Sequence, residues 1–286
     1  MHDILGQHGL INRKVNDPMF TGRSVLITGG TRGLGKAIGL AFATHGATVF
    51  LTHRWGSVEE EALLVEFGEV GAKRPIIIES DVGDGDDMRD LMREIAGHCD
   101  SLDIIVSNVA FSKVIHDFDD LKKGSLDLSL KYSAWPVVDL MQTAYEVIGA
   151  YPKYMIAISS DGALMCHDGY DMAGASKAVL ETLCRYMAVR LKQYGVRVNV
   201  IRPGYLDTAS SRATFGDDVV NRAMSQVPGL FLDPNQVALT CLALASGWMD
   251  AVTGQVIVVD EGWSLVSPIS FLTEHGLPGM FPDKAD

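Results

Sequence analysis

The stretch Ser24–Gly35, SVLITGGTRGLG, decides the architecture. Its first half is a short, β-branched apolar run of the kind that forms a buried strand, and its second half is a glycine cluster. From Lys36 to His45 apolar residues recur at helical spacing, and Gly46 stands where a helix C-terminus favours glycine. A strand that turns through glycines into a helix is the opening of a strand–helix–strand unit. The same rhythm continues through ATVFLTH (Ala47–His53), PIIIESDV (Pro75–Val82), LDIIVSNVA (Leu102–Ala110), YMIAISS (Tyr154–Ser160), RVNVIRPG (Arg197–Gly204) and QVIVVDEG (Gln255–Gly262). Between these runs lie helical patterns at Val58–Phe67, opened by a capping box of Ser57 and Glu60, and at Asp86–Ala96. Further helical patterns are Leu121–Ile148, kinked or restarted at Pro136, Gly174–Tyr194 and Asn235–Ser246.

Parallel strands need crossovers, and crossovers cover both sheet faces with helices. The expected fold class is therefore α/β: a single doubly wound domain over residues 21–265, with a seven-stranded parallel sheet flanked by helices. No repeat, low-complexity tract or linker divides it. Residues 1–20 form an N-terminal extension, and 266–286 a tail carrying Phe271, Leu272, Leu277, Met280 and Phe281. That tail reads either as a frayed end or as a segment packing on a neighbouring subunit or over the active site.

Composition excludes several classes. A chain of 286 residues buries about three quarters of its unfolded surface and needs no staple. The 24 Lys and Arg against 36 Asp and Glu give a net charge of −12, which argues against nucleic acid as a partner. No apolar run reaches the roughly 18–20 residues of a membrane span, and MHDILGQHGLINRK does not read as a signal peptide. Cys99, Cys166, Cys184 and Cys241 are scattered, with no C-x-x-C pair, as in a reduced cytoplasmic protein without a metal site or disulfide frame. Cys166 is expected to be an ordinary buried thiol, with a reactive thiol as the alternative.

The glycine cluster points to a dinucleotide. Gly29, Thr31, Arg32, Gly33, Leu34 and Gly35 line a turn at the first strand-to-helix junction, where glycine lets a pyrophosphate approach and a helix N-terminus offers N–H groups and a positive dipole end. A glycine-rich turn without a ligand is the bland alternative. The second strand ends Thr52-His53-Arg54, without the carboxylate expected for a ribose 2′-hydroxyl. Arg32 and Arg54 instead suit a 2′-phosphate, favouring NADP(H), with a solvated Arg54 as the alternative.

The spacing Gly29-x3-Gly33-x-Gly35 makes the chain resemble the short-chain dehydrogenases/reductases over residues 20–265. Ser80-Asp81-Val82, Ser107-Asn108-Val109-Ala110, Ile158-Ser159-Ser160, Ser176-Lys177, Pro203-Gly204 with Thr208, and Gly254 through Gly262 follow in the family's order. The resemblance implies a Rossmann fold and a cofactor site that includes Pro203 and Gly204. In that site Asp81 and Val82 meet adenine, Asn108, beside Val109 and Ala110, steadies the central strand, and Thr208 holds the nicotinamide carboxamide. It also implies a homotetramer or dimer.

Hydride transfer to a carbonyl or conjugated thioester builds negative charge on oxygen, which a hydroxyl must neutralise while a nearby cation lowers that hydroxyl's pKa. The family's usual Tyr lies four residues before Lys; here that position is Ala173. Tyr170 lies seven before Lys177, two turns along a helix, so both can share one face. This spacing, and the segment Ala178–Asn199, resemble the enoyl-acyl-carrier-protein reductases. Ser160, seventeen residues before Lys177, makes the NADPH-dependent type III branch the nearest likeness. The implied catalytic set is Ser160, Tyr170 and Lys177, the last also cofactor-binding, acting on an enoyl thioester of acyl-carrier protein or coenzyme A in fatty-acid or polyketide-type synthesis.

Three departures stand out. No Asn occurs between Asn108 and Asn199, so the family's proton-relay Asn is missing, with Ser129, Lys131 and Tyr132 in its neighbourhood. Glu261 replaces the Gly of a terminal Asp-Gly-Gly. His167 and Asp168 beside Tyr170 read as loop residues rather than parts of a triad. Tyr205–Asp233, with Phe215, Met224, Leu230 and Phe231, is either a substrate lid or a helical hairpin packed on the core. A carbonyl (3-oxoacyl) reductase or alcohol dehydrogenase, and a catalytically silent NADP(H)-binding sensor or scaffold, stand as alternatives.

Overall fold

The computed structural model describes residues 19–54, 59–111, 113–267, 269 and 271. Seven strands, β1 (Ser24–Ile27), β2 (Thr48–His53), β3 (Ile76–Glu79), β4 (Ile104–Ser107), β5 (Tyr154–Ile158), β6 (Arg197–Pro203) and β9 (Val256–Val259), form one parallel sheet in the order β3-β2-β1-β4-β5-β6-β9. The expected doubly wound sheet is the one observed.

Consecutive side chains on a strand point to opposite faces, and both faces are dry here. On β1, Leu26 joins a core under α3 (Gly85–His98), α5 (Pro136–Ile148) and α6 (Asp171–Leu191), through Met88, Leu91, Leu140 and Leu180. Its neighbours Val25 and Ile27 join the opposite core, under α1 (Gly33–Thr44), α2 (Glu60–Glu69) and α9 (Pro234–Ala245), through Ile38, Phe42, Phe67 and Val237.

Side-chain caps set some of the helix starts. Asp84 caps α3 by accepting from the N–H groups of Asp86 and Asp87. Asp233 caps α9 ahead of Pro234. The Leu121–Ile148 pattern is two helices, α4 (Lys123–Ser133) and α5, the second restarting with Pro136 in its first turn. The capping box before α2 is a correction: the helix begins at Glu60 with Glu59 as its N-cap, and Ser57 lies outside the described residues. The segment after β6 folds into β7 (Tyr205–Leu206), α7 (Ala209–Phe215), α8 (Asp217–Gln226) and β8 (Phe231–Leu232), with β7 and β8 paired in a small parallel ladder. Apart from a few of their residues, the N-terminal extension and the tail, with Leu272, Leu277, Met280 and Phe281, lie outside the described residues. No described helix is long and apolar enough to cross a membrane.

Candidate active site

The strand order reverses between β1 and β4, and in open parallel sheets ligands gather at the carboxyl ends of strands beside such a switch. The glycine loop lies there. Gly29 (φ +61°) and Gly33 (φ +53°) adopt left-handed backbone that glycine takes freely. At Gly35 a methyl would lie 2.3 Å from the Gly29 carbonyl oxygen, so the helix start presses against the loop's first turn. Gly35→Ala is therefore expected to cost roughly 1–3 kcal/mol of stability and to weaken dinucleotide binding, as read by thermal unfolding and NADPH fluorescence titration. A variant melting with wild type would contradict this close approach.

Asn108 pins the loop to β4: its Nδ2 donates to the carbonyls of Thr28 (3.1 Å) and Gly29 (3.2 Å). The Thr28 hydroxyl accepts from the N–H groups of Asn108 and Val109. Across the cleft, Thr208 caps α7 in a reciprocal box with Ser211 and faces Gly33. Pro203 ends β6, and Gly204 lies so close to Asp260 that a methyl there would be 2.9 Å from its Cβ.

At the ends of β2 and β3 the structure joins two residues that the sequence treats separately. An Arg54 guanidinium nitrogen lies 2.7 Å from Asp81 Oδ2, and the guanidinium lies over the Tyr132 ring at 5.0 Å. The Tyr132 hydroxyl donates to the same Asp81 oxygen at 3.3 Å. Thr31 and Val82 are buried, and Arg32 is the exposed N-cap of α1. His53 Nδ1 and Ser80 Oγ are buried without a hydrogen-bond partner among the described residues. Buried polar atoms are rarely left so. The glycine cradle, the first free N–H groups of α1 and these two atoms fit a nicotinamide dinucleotide.

The catalytic candidates converge on one cleft of about 350 Å³, where Ser160, Tyr170 and Lys177 line the wall with Gly29, Arg32 and Thr208. Leu34, Gly35, Asn108, Val109, Ala110, Pro203 and Gly204 line it too. Tyr170 is the N-cap of α6, not a residue of its first turn (φ −101°, ψ 9°). Its ring packs on Gly162, where an added methyl would lie 2.5 Å from it. Ala173, at the family's usual Tyr position, is buried. Burial pushes the Tyr170 phenol up, against the pull of a hydrogen bond with Ser160. Lys177 is buried, and its Nζ donates to the Ile158 carbonyl at 2.7 Å. Burial pushes its pKa down to about 8, opposed by the negative charge that Cys184 and Glu181 would bring.

Several participants escape sequence reading. Glu181, one turn beyond Lys177, is held by a two-pronged Arg202 fork (3.0 and 2.7 Å) and by the Ser159 hydroxyl (2.7 Å). Asp161 lies 3.1 Å from His167 Nε2, while Asp168 instead faces exposed His116 at 3.6 Å. Cys166 is exposed, not buried as expected, because it sits on the loop that carries His167. Glu261 adopts φ +53°, alone among the described non-glycine residues, which explains why glycine suits that position. His167, Tyr170, Tyr205 and Phe215 form a ring cluster with centroids 5.8–6.5 Å apart. Beyond it opens an apolar cavity of about 1010 Å³, lined by Leu164, Met165, Val219, Leu230, Phe231 and Trp263 among others.

The family model described as Enoyl-(Acyl carrier protein) reductase matches residues 29–264. The 1-cyclohexenylcarbonyl-CoA reductase of Streptomyces collinus is 30% identical over 253 residues, covering 86% of this chain and 88% of that protein. A 3-oxoacyl-acyl-carrier-protein reductase of Staphylococcus epidermidis is 25% identical, covering 84% and 98%. The crystal structure of enoyl-acyl-carrier-protein reductase (NADH) from Aquifex aeolicus VF5 shares the fold, with a TM-score of 0.76 over 87% of this chain and 99% of that one at 23% identity. On the match over residues 29–264, from the glycine loop past the last strand, this chain belongs to the short-chain dehydrogenase/reductase family of NAD(P)-dependent oxidoreductases.

Proposed function

We propose that the protein reduces the carbon–carbon double bond of an α,β-unsaturated acyl thioester, carried on coenzyme A or acyl-carrier protein, with NADPH. The observation that carries this reading is Tyr170: seven residues before Lys177, it lines the same cleft as Ser160, Lys177 and the glycine loop. The apolar cavity behind the ring cluster suits the acyl part. The relative from Streptomyces collinus bears the name of a CoA-thioester reductase.

When bound, the dinucleotide supplies a hydride. Gly29, Thr31, Arg32, Gly33, Leu34 and Gly35 would cradle its pyrophosphate, Thr208 its carboxamide and Lys177 its ribose. The residues of the chain manage the charge left on the thioester oxygen. Tyr170 donates a hydrogen bond or its proton there, and a preorganised donor of this kind is worth about 10²–10⁴ in rate. Lys177, mostly protonated at neutral pH with its pKa about 8, adds a positive charge to the wall of the cleft that Tyr170 also lines. Ser160 lines the cleft with Tyr170, and its contact with the phenol works against the effect of burial.

NADPH is preferred in this reading because Arg54 is held at the end of β2, where an adenosine 2′-phosphate would lie. Arg54→Ser is expected to raise KM for NADPH by about tenfold to hundredfold while changing KM for NADH little. Equal losses with both cofactors would contradict the phosphate role. Mixing the protein with NADPH and crotonyl-CoA and following cofactor absorbance tests the reaction itself. Turnover supports it; reduction of ketones with none of any enoyl thioester contradicts it. That second outcome is the carbonyl-reductase reading, which Ser160, at the family's usual place, and the 3-oxoacyl reductase relative favour.

A further inference from the structure

Tyr170 must recover a proton after each turnover, and the family's relay Asn is absent. Two hydroxyls at the end of α4 are committed elsewhere. Ser133 Oγ donates to the Phe111 carbonyl and accepts from the Phe111 N–H, both at 2.9 Å. Tyr132 donates to Asp81. A run of polar side chains instead leads from Ser160, which lines the cleft with Tyr170, to His167. Ser160 Oγ donates to Asp161 Oδ1 at 3.0 Å and accepts from the Gly162 N–H at 3.2 Å. Asp161 Oδ2 lies 3.1 Å from His167 Nε2, an ion contact rather than a well-aligned hydrogen bond. The side chains of His167 and Asp161 are only 14% and 22% exposed. The His167 ring stands edge-on to Tyr170 at 6.0 Å.

We infer that His167 and Asp161 form a proton-return pair that, through Ser160, restores the Tyr170 phenol. The inference rests on Tyr170 acting as the donor proposed above. Tyr170 gives its proton to the substrate oxygen and becomes phenolate. Ser160 passes its hydroxyl proton to the phenolate, and Asp161 returns one to Ser160. His167 Nε2 releases one to Asp161 Oδ2, the carboxyl turning to present it from the Ser160 side. The neutral imidazole is recharged by water at the outer cleft, which His116, Asp117, Asp168 and Asp171 line. One proton enters from water and one reaches the phenolate.

The surroundings favour a charged imidazole. Asp161 faces His167 from the turn after β5, and Tyr170 from the start of α6. Tyr205 and Phe215 face it from the segment after β6, and Asp260 and Arg202 line the same apolar cavity. The Asp161 contact raises the His167 pKa above its ordinary value, against burial. Against its own burial, contacts with His167, Ser160 and the Gly162 N–H hold the Asp161 carboxyl below the usual range. A proton donor whose pKa is raised stays charged to higher pH, so turnover should fall as pH rises through that value.

Two arms test the pair in the full chain. In the first, histidine C2 protons are titrated by NMR. His167 should titrate above the ordinary value of about 6.5 and drop by roughly one unit or more in Asp161→Asn. A His167 titration unmoved by that change overturns the pair whatever the enzyme's substrate. In the second, steady-state kinetics with NADPH compare wild type, His167→Phe, which keeps a ring in the cluster, and His167→Ala with imidazole added. Phe should lower kcat by about tenfold to hundredfold, leave KM nearly unchanged and abolish the high-pH fall, while imidazole restores Ala in part. A His167→Phe enzyme with wild-type kcat and pH profile overturns the relay. If crotonyl-CoA is inert but acetoacetyl-CoA is reduced, the enoyl reading fails and the relay is judged on the ketone. If neither is reduced, Tyr170 donates no proton in turnover and the relay falls with it, while the titration separately reports on the pair.

Discussion

Tyr170→Phe is expected to lower kcat for an enoyl thioester by about 10²–10⁴ with NADPH affinity unchanged. The substitution removes one oxygen and little else. The ring that covers Gly162 and lies 6.3 Å from the Phe215 ring is retained, so the wall of the cleft keeps its shape. Lost are the donor to the developing oxyanion and the partner of Ser160. Because both act mainly in the transition state, the loss should fall on kcat and leave KM nearly constant. Steady-state kinetics, with NADPH binding measured by fluorescence, check this split. Retained turnover would assign the proton to another group, and an inactive wild type would favour the silent binding protein.

The second large effect has two opposite signs. Lys177→Met should reduce kcat by about hundredfold or more while making the fold more stable. A buried ammonium whose pKa falls to about 8 is poorly solvated in the folded chain. At roughly 1.4 kcal/mol per pKa unit the charge costs the native state about 3 kcal/mol at neutral pH. Leaving the Ile158 carbonyl without its Lys177 donor returns about 1 kcal/mol of that. The net gain of about 2 kcal/mol should raise the thermal midpoint by several degrees. The sign with pH follows from linkage. Between about pH 8 and the ordinary lysine value the unfolded chain holds the proton that the folded chain has lost, so wild-type stability from this group rises with pH. The stability gap between variant and wild type should therefore be widest near neutrality and narrow above pH 8. Unfolding midpoints of both proteins across that range test it, and a destabilised variant would contradict the desolvation account.

Sheet and cofactor loop were legible because their signals are local. Seven apolar runs, each short and β-branched, cannot be hidden except between helices, and Gly29, Gly33 and Gly35 each answer a backbone need. The break at Pro136 was legible for the same reason. What could not be read depends on which loops meet. Arg54 and Asp81 are 27 positions apart and become partners only because β2 and β3 end side by side, with His53 opposite Glu79. Next to Asp168 in sequence, His167 instead pairs with Asp161 across the turn, which no spacing rule gives. The two-residue strands β7 and β8 carry no period to detect. At Glu261 a mismatch with the family's glycine was visible in the sequence; its left-handed backbone was not.

Hydride destination tests the central claim most directly. NADPH carrying deuterium on the transferable side of nicotinamide C4, incubated with the protein and crotonyl-CoA, should yield butyryl-CoA labelled at C3, the β-carbon, by mass spectrometry. Unlabelled crotonyl-CoA recovered intact, while acetoacetyl-CoA acquires the label as an alcohol, would contradict enoyl reduction and assign the cleft to carbonyl chemistry.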